Sequence, residues 1–245
     1  MHLDVLLLYC LTNLKEFTML KNKKTYYQLI LDKSGSMHDC VNTTINGFNE
    51  QMQMIRSLKK KHPKQEFVVS LTTFNQEVHF DINQEDPDTI KELTSNNNFH
   101  DYKKDENLIS YLPNGMTALY DAIGMSVNNI LKLANDEINN DQATVVVVII
   151  TDGHENASVK HSYDQIQSMI KELELSDNWT FSYLSNTPDA VDYAMRMNIK
   201  RENAIKYSKN TMKEDYDDIK LSMESYFDSK ANNIKKKDFI KSRRK

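Results

Sequence analysis

The chain has 245 residues, a formal net charge of −4 and a pI near 6.0. That length allows one large domain with a sizeable core, and the mildly acidic balance excludes a global basic field of the kind that binds nucleic acid. Its two cysteines, Cys10 and Cys40, make neither a CxxC pair nor a zinc spacing, so the fold is expected to stand without a disulfide scaffold, as in a reducing cytosol.

The N-terminal stretch MHLDVLLLYCLTNLK holds a short apolar run, Val5–Leu11, preceded by Asp4. It lacks a basic n-region and a small-residue cleavage site, so residues 1–22 are read as an extension rather than a signal peptide, with Met19 as an alternative start. No other run approaches the roughly 20 apolar residues that span a bilayer, so no membrane contact and a cytoplasmic location are expected.

Thr25–Leu31, TYYQLIL, reads as a strand buried on both faces. Val41, Ile45, Phe48, Met52 and Ile55 recur at helical spacing and predict an amphipathic helix over 40–61, ended by His62-Pro63. Phe67–Phe74 and Glu77–Ile82 read as a hairpin turning at Asn75-Gln76, which makes one strand antiparallel. Asp86–Leu93 reads as a short helix, and the polar stretch Ser95–Asn114 as a long surface loop. A second amphipathic helix is predicted over Ala118–Ile138. ATVVVVIIT, 143–151, is the clearest central parallel strand. Helix Tyr163–Leu175, strand Trp179–Leu184, helix Asp189–Met197, strand Ala204–Tyr207 and helix Thr211–Phe227 follow. The tail KKKDFIKSRRK sets seven basic residues against Asp238.

Strand–helix alternation with one hairpin predicts an α/β sheet, doubly wound and covered by helices on both faces. Ligands of such sheets sit beyond the carboxyl ends of the strands, where the strand order reverses. Three segments there share one chemistry: Asp32-Lys33-Ser34-Gly35-Ser36, Asn114-Gly115-Met116-Thr117 and Asp152-Gly153-His154-Glu155. They hold three of the chain's five glycines. Each segment alone reads equally as a helix cap or a turn. Together they bring two carboxylates and three hydroxyls, hard oxygen donors that suit Mg²⁺, Mn²⁺ or Ca²⁺ rather than zinc. Two carboxylates among neutral hydroxyls leave such an ion electrophilic toward an external carboxylate.

The pattern Asp32-x-Ser34-x-Ser36, followed by Thr117 and Asp152, resembles the metal-ion-dependent adhesion site of von Willebrand factor A domains. LILDKSGSM, GMTALYDAIG and VIITDGHEN are particularly similar to a bacterial and phage-type branch of that family. The resemblance covers about residues 23–208, leaving 209–245 as a C-terminal helix and basic tail. It implies a Rossmann-like, mostly parallel six-stranded sheet with one antiparallel edge strand. It also implies that Ser34 and Ser36 bind the metal directly, Thr117 directly or through water, and Asp32 and Asp152 often through water. A partner's Glu or Asp would complete the coordination. Met116 departs from the glycine common at its position, and His154 from a common acidic residue.

Around this set, His38, Met116, His154 and Glu155 are candidates for a partner-binding rim. Asp121, one turn after Thr117, is either a carboxylate that orients the threonine loop or an exposed helix aspartate. The preferred function is a metal-dependent protein-binding module, not an enzyme, whose partner presents Glu or Asp. The family resemblance suggests settings such as AAA+ ATPases or other bacterial regulatory proteins. The competing readings are a hydrolase or phosphoryl-transfer enzyme using Asp32 and His154, and a scaffold that the metal merely stiffens. The enzyme lacks a second aspartate, since Ser34 takes its place, and no P-loop or GxGxxG is present.

Overall fold

A computed structural model describes residues 24–95, 108–208 and 212–231. The apolar, β-prone run after Asn22 becomes strand β1 (Lys24–Asp32), buried along nearly its whole length. A 3-10 turn over Gly35–Cys40 leads into helix α1 (Val41–Lys61), so the chain starts its first α-helical turn just past the predicted position. Strands β2 (Glu66–Phe74) and β3 (Val78–Glu85) form the expected antiparallel hairpin.

The next segment differs from its sequence reading. Instead of a helix over 86–93 there is a single 3-10 turn, Pro87–Thr89, in which the Asp86 carboxylate accepts from the Asp88 amide. Ile90 is extended, and strand β4 (Glu92–Thr94) follows. The supposed surface loop contains strand β5 (Leu108–Ser110), which pairs in parallel with β4. Tyr111, directly after it, is fully buried. The remainder of that loop, 96–107, lies outside the described residues, as do the N-terminal extension and the basic tail.

Helix α2 (Leu119–Asn139), strand β6 (Ala143–Thr151), helix α3 (Tyr163–Leu175), strand β7 (Trp179–Ser185), helix α4 (Ala190–Arg196) and strand β8 (Ala204–Lys206) complete the alternation. Helix α5 (Met212–Ala231) closes the described chain. Helix α3 begins where the sequence placed it because Ser162 and Gln165 form a reciprocal capping box.

The main sheet has the order β3-β2-β1-β6-β7-β8, parallel throughout except β3 at the edge. This is the doubly wound, six-stranded α/β fold expected from the sequence. Alternate residues of the central strands feed two cores. Tyr27, Leu29, Leu31, Val146, Val148 and Ile150 pack with α1 and α5. Tyr26, Ile30, Val145, Val147 and Ile149 pack with α2, α3 and α4 on the other face. The nine residues of β6 are all buried, which is why its sequence shows no polar alternation.

Helix α5 is bound into the first core by Tyr216, Ile219, Met223, Tyr226 and Phe227, with the Phe227 ring edge-on to Phe67 at 5.0 Å. Gly47 of α1 and Gly124 of α2 sit at helix contacts: a Cβ on Gly124 would come 2.5 Å from the His161 ring. The strand order reverses between β1 and β6, and that junction carries the candidate site.

Candidate metal centre

Asp32 is the last residue of β1 and Asp152 follows the last residue of β6. Because the two strands are neighbours paired in parallel, Asp32 comes level with Thr151, and Asp152 follows one residue further on at the same end of the sheet. Asp32 is fully buried. Its Oδ1 accepts from the Ser34 amide at 2.6 Å and its Oδ2 from the Thr151 hydroxyl at 2.6 Å. The 3-10 turn places Ser34 Oγ 3.1 Å from Ser36 Oγ, and the Ser36 hydroxyl donates to Asp152 Oδ1. A Cβ added at Gly153 would lie 3.2 Å from Thr117 Oγ1 and 3.5 Å from Ser36 Oγ. The bare glycine thus forms the floor of a small cradle walled by hydroxyls from two other loops. Asp32, Ser34, Ser36, Thr117 and Asp152, taken from three loops, are brought to one spot.

Backbone ties fix the loops to each other. The Gly35 amide donates to Gly115 O at 3.1 Å and the Asn114 amide to Lys33 O at 2.8 Å. From beneath, the Tyr111 hydroxyl donates to Asp32 O at 2.6 Å and the Tyr207 hydroxyl to Thr151 O at 3.1 Å. Both tyrosines are buried, and each satisfies the last carbonyl of a strand that leads into the candidate centre. Sequence reasoning missed them, along with Asn156. The Asn156 side chain accepts from the Thr117 amide at 2.8 Å, and its own amide donates to Thr117 O at 3.0 Å.

The rim residues separate into two groups. His38 is exposed on the 3-10 turn, Met116 is 55% exposed beside Thr117, and the His154 side chain is 56% exposed. His154 Nε2 lies 3.6 Å from Asp189 Oδ1 and its ring stands edge-on to Tyr193. Glu155 is otherwise engaged, which corrects its placement on the rim. Its carboxylate accepts from the amides of Tyr120, Ala157 and Ser158 and from the Ser158 hydroxyl, at 2.7–3.0 Å. It caps the start of α2, whose N-cap, Ala118, has no side-chain acceptor.

Asp121 also differs from both of its sequence readings. It is buried rather than exposed, and its oxygens accept from the amides of Val159, Lys160 and His161 at 2.7–2.9 Å. It orders the segment after the Asp152 loop, not the threonine loop. Those amide bonds outweigh the cost of burial and hold its carboxyl below the ordinary carboxylate range.

The donor set fits a hard divalent cation. All five side chains offer oxygen, and among the described residues no group of three or more His, Cys, Asp or Glu side chains is gathered as an alternative site. Burial pushes the Asp32 carboxyl up to about 6, against the hydrogen bonds from Thr151 and Ser34 and reinforced by the Asp152 charge. A carboxyl raised from 3.8 when folded gives stability below pH 4 that is lost as pH rises through 6, worth about 3 kcal/mol. In EDTA, melting should therefore fall between pH 5 and pH 7, and this fall should shrink in Asp32→Asn. Mg²⁺ at pH 7 should recover it in the native chain only. Melting curves at the two pH values check this; equal slopes in both proteins would contradict it.

Comparison with known proteins bears on this arrangement. The family model described as the von Willebrand factor type A domain matches residues 28–183. No curated protein matches the sequence. Among solved structures, the PilB minor pilin of Streptococcus sanguinis superposes with a TM-score of 0.51 at 13% identity, covering 85% of this chain and 62% of the pilin. Proximal thread matrix protein 1 of the mussel byssus gives 0.49 at 14% identity, over 82% of this chain and 46% of its own. A von Willebrand factor type A protein of Catenulispora acidiphila gives 0.48 at 12%, over 82% and 42%. This chain therefore spans about two-fifths to three-fifths of the length of these structures. The family match runs from within β1 into β7 and includes every loop of the candidate centre; the chain belongs to the von Willebrand factor type A domain family.

Proposed function

We propose that the chain is a divalent-cation-dependent protein-binding module in which Asp32, Ser34, Ser36, Thr117 and Asp152 hold Mg²⁺, or Mn²⁺ or Ca²⁺ in its place. The bound ion would supply one thing, an electrophilic position for a carboxylate from outside. The observation that carries this reading is the convergence of Ser36, Thr117 and Asp152 around Gly153, next to buried Asp32. With three neutral hydroxyls in the set and the two carboxylates often acting through water in the family it resembles, the ion stays electrophilic, so a Glu or Asp of a partner is the natural further ligand. Met116, His38 and His154 stand exposed at the edge of the centre and would meet the residues flanking that acid. A bacterial or phage setting, with an AAA+ ATPase or another regulatory protein as partner, is the context that the sequence resemblance suggests. Family membership supports the module reading over an enzyme.

The test is affinity capture on the immobilised full chain, native and Asp32→Ala, in Mg²⁺ and in EDTA. The proposal expects proteins that are retained only by the native chain, only in Mg²⁺, and that free acetate or an Asp-containing peptide displaces. Retention that is the same in all four conditions would overturn it.

A further inference from the structure

We infer that the turn between β2 and β3, Asn75-Gln76, is a positioning strut for the threonine loop; the inference rests on reading the centre as a cation site. Neither residue belongs to the ligand set, yet their bonds land at regular intervals along the loop that carries Thr117. Asn75 Nδ2 donates to Asn114 Oδ1 at 2.8 Å. The Met116 amide donates to Gln76 Oε1 at 3.0 Å. The Ala118 amide donates to Asn75 O at 2.7 Å. Positions 114, 116 and 118 are thus each held from the same turn, and Thr117 lies between the last two.

The strut is itself braced. Asn75 is buried, and its Oδ1 accepts from the Glu77 amide at 2.9 Å, closing the turn on its own backbone. Asn114 passes the constraint on to the first metal loop through its amide bond to Lys33 O. Gly115 is the point at which strut and loop cross. Its φ is +75°, and a Cβ there would overlap the Gln76 side-chain oxygen and come 2.8 Å from its Cδ. Glycine at 115 is therefore required twice, by the backbone angle and by the glutamine lying across it. On the opposite side Asn156 clamps Thr117 through both its backbone groups. The threonine loop is gripped between two supports before any cation arrives.

The consequence is energetic. A site whose donors are already in place binds without the cost of ordering a loop. If the support is removed, the loop occupies its binding position only part of the time, and apparent affinity falls by that fraction. The bond from Gln76 is on an exposed residue and the bonds from Asn75 are buried, so the two variants should differ in size of effect.

Mg²⁺ affinity should be measured by titration calorimetry on the full chain in its native form and as Asn75→Ala, Gln76→Ala, Gln76→Glu and Asp32→Ala. Amide hydrogen exchange at Met116 in EDTA is the companion readout. Asn75→Ala should weaken Mg²⁺ about tenfold and Gln76→Ala about threefold. Exchange at Met116 should rise in Gln76→Ala and return toward native in Gln76→Glu, which keeps the acceptor. Gly115→Ala should displace the glutamine, so adding Gln76→Ala to it should cost no further affinity. Asp32→Ala reports on the centre itself: if the native chain binds Mg²⁺, Asp32→Ala does not, and both strut variants bind within twofold of native, the strut is wrong and the centre stands. A native chain that binds no Mg²⁺ overturns both. Gln76→Ala alters only an exposed turn side chain, so the question stays answerable even if Asn75→Ala fails to fold.

Discussion

Mg²⁺ titrated into the Ser34→Ala, Ser36→Ala double variant is expected to produce no binding heat, in contrast to the binding proposed for the native chain. The two hydroxyls lie 3.1 Å apart on one 3-10 turn, so together they form one wall of the centre. Ser36 also donates to Asp152, and losing that bond removes one contact that orients the second carboxylate. Two neutral oxygens of the proposed ligand set would be lost, leaving methyl groups that a hard cation cannot use. Removing an outer support from a metal ligand already costs about 10–100-fold in affinity, so removing two ligands should exceed 100-fold. The fold itself should survive. Ser36 is exposed, Ser34 loses only an oxygen, and the β1–β6 pairing beneath is untouched. Melting in EDTA should therefore stay within a few degrees of native. Residual Mg²⁺ binding within tenfold of native would mean that the cation sits elsewhere.

The second large effect concerns α5. Gly47→Ala is expected to destabilise the protein by about 2 kcal/mol, the reverse of what helix propensity alone dictates. Alanine in a helix interior is favoured over glycine by roughly 1 kcal/mol. Here, however, the new Cβ would come within 2.5 Å of Cδ1 and Cδ2 of the Tyr216 ring. That ring is buried between α1 and α5, in a core that also holds Phe48, Met223 and Phe227. Overpacking of this kind costs about 1–3 kcal/mol or more, because one helix must shift. Gly35→Ala is the control, since its Cβ would meet nothing closer than Gly115 O at 3.5 Å. Urea unfolding followed by the single tryptophan, Trp179, compares the two. A midpoint that rises in Gly47→Ala would show that α5 does not pack as described.

The central strands were readable because β1 and β6 are buried on both faces, and such strands are continuous apolar runs. The candidate donors were readable as a group because three glycines and matching oxygen donors recur in three loops. What was hidden depends on long-range contacts. Tyr111 and Tyr207 are ordinary aromatics in sequence; only the fold brings their hydroxyls beneath Asp32 and Thr151. Asp121 carries no local sign that its partners lie some forty positions away. Glu155 was misplaced because its neighbours are metal-loop residues, while its bonds go to the amide of Tyr120 and to its own turn. Strand β5 is three residues long, too short to show a period.

The pairing of β1 with β6 runs without interruption from Lys24–Ala143 to Leu31–Ile150, one residue short of Asp32. That pairing works as a vernier for the whole centre. A slip of a single position would carry Asp32 about 3.3 Å along the strand and turn its side chain to the opposite face of the sheet. Such a slip would also part Asp32 from the Thr151 hydroxyl whose bond it accepts in the native alignment. On the proposed reading of the centre, recovery of Mg²⁺ binding during refolding is a direct gauge of strand alignment, one that reads correct assembly from a mixture in which circular dichroism would count every sheet alike.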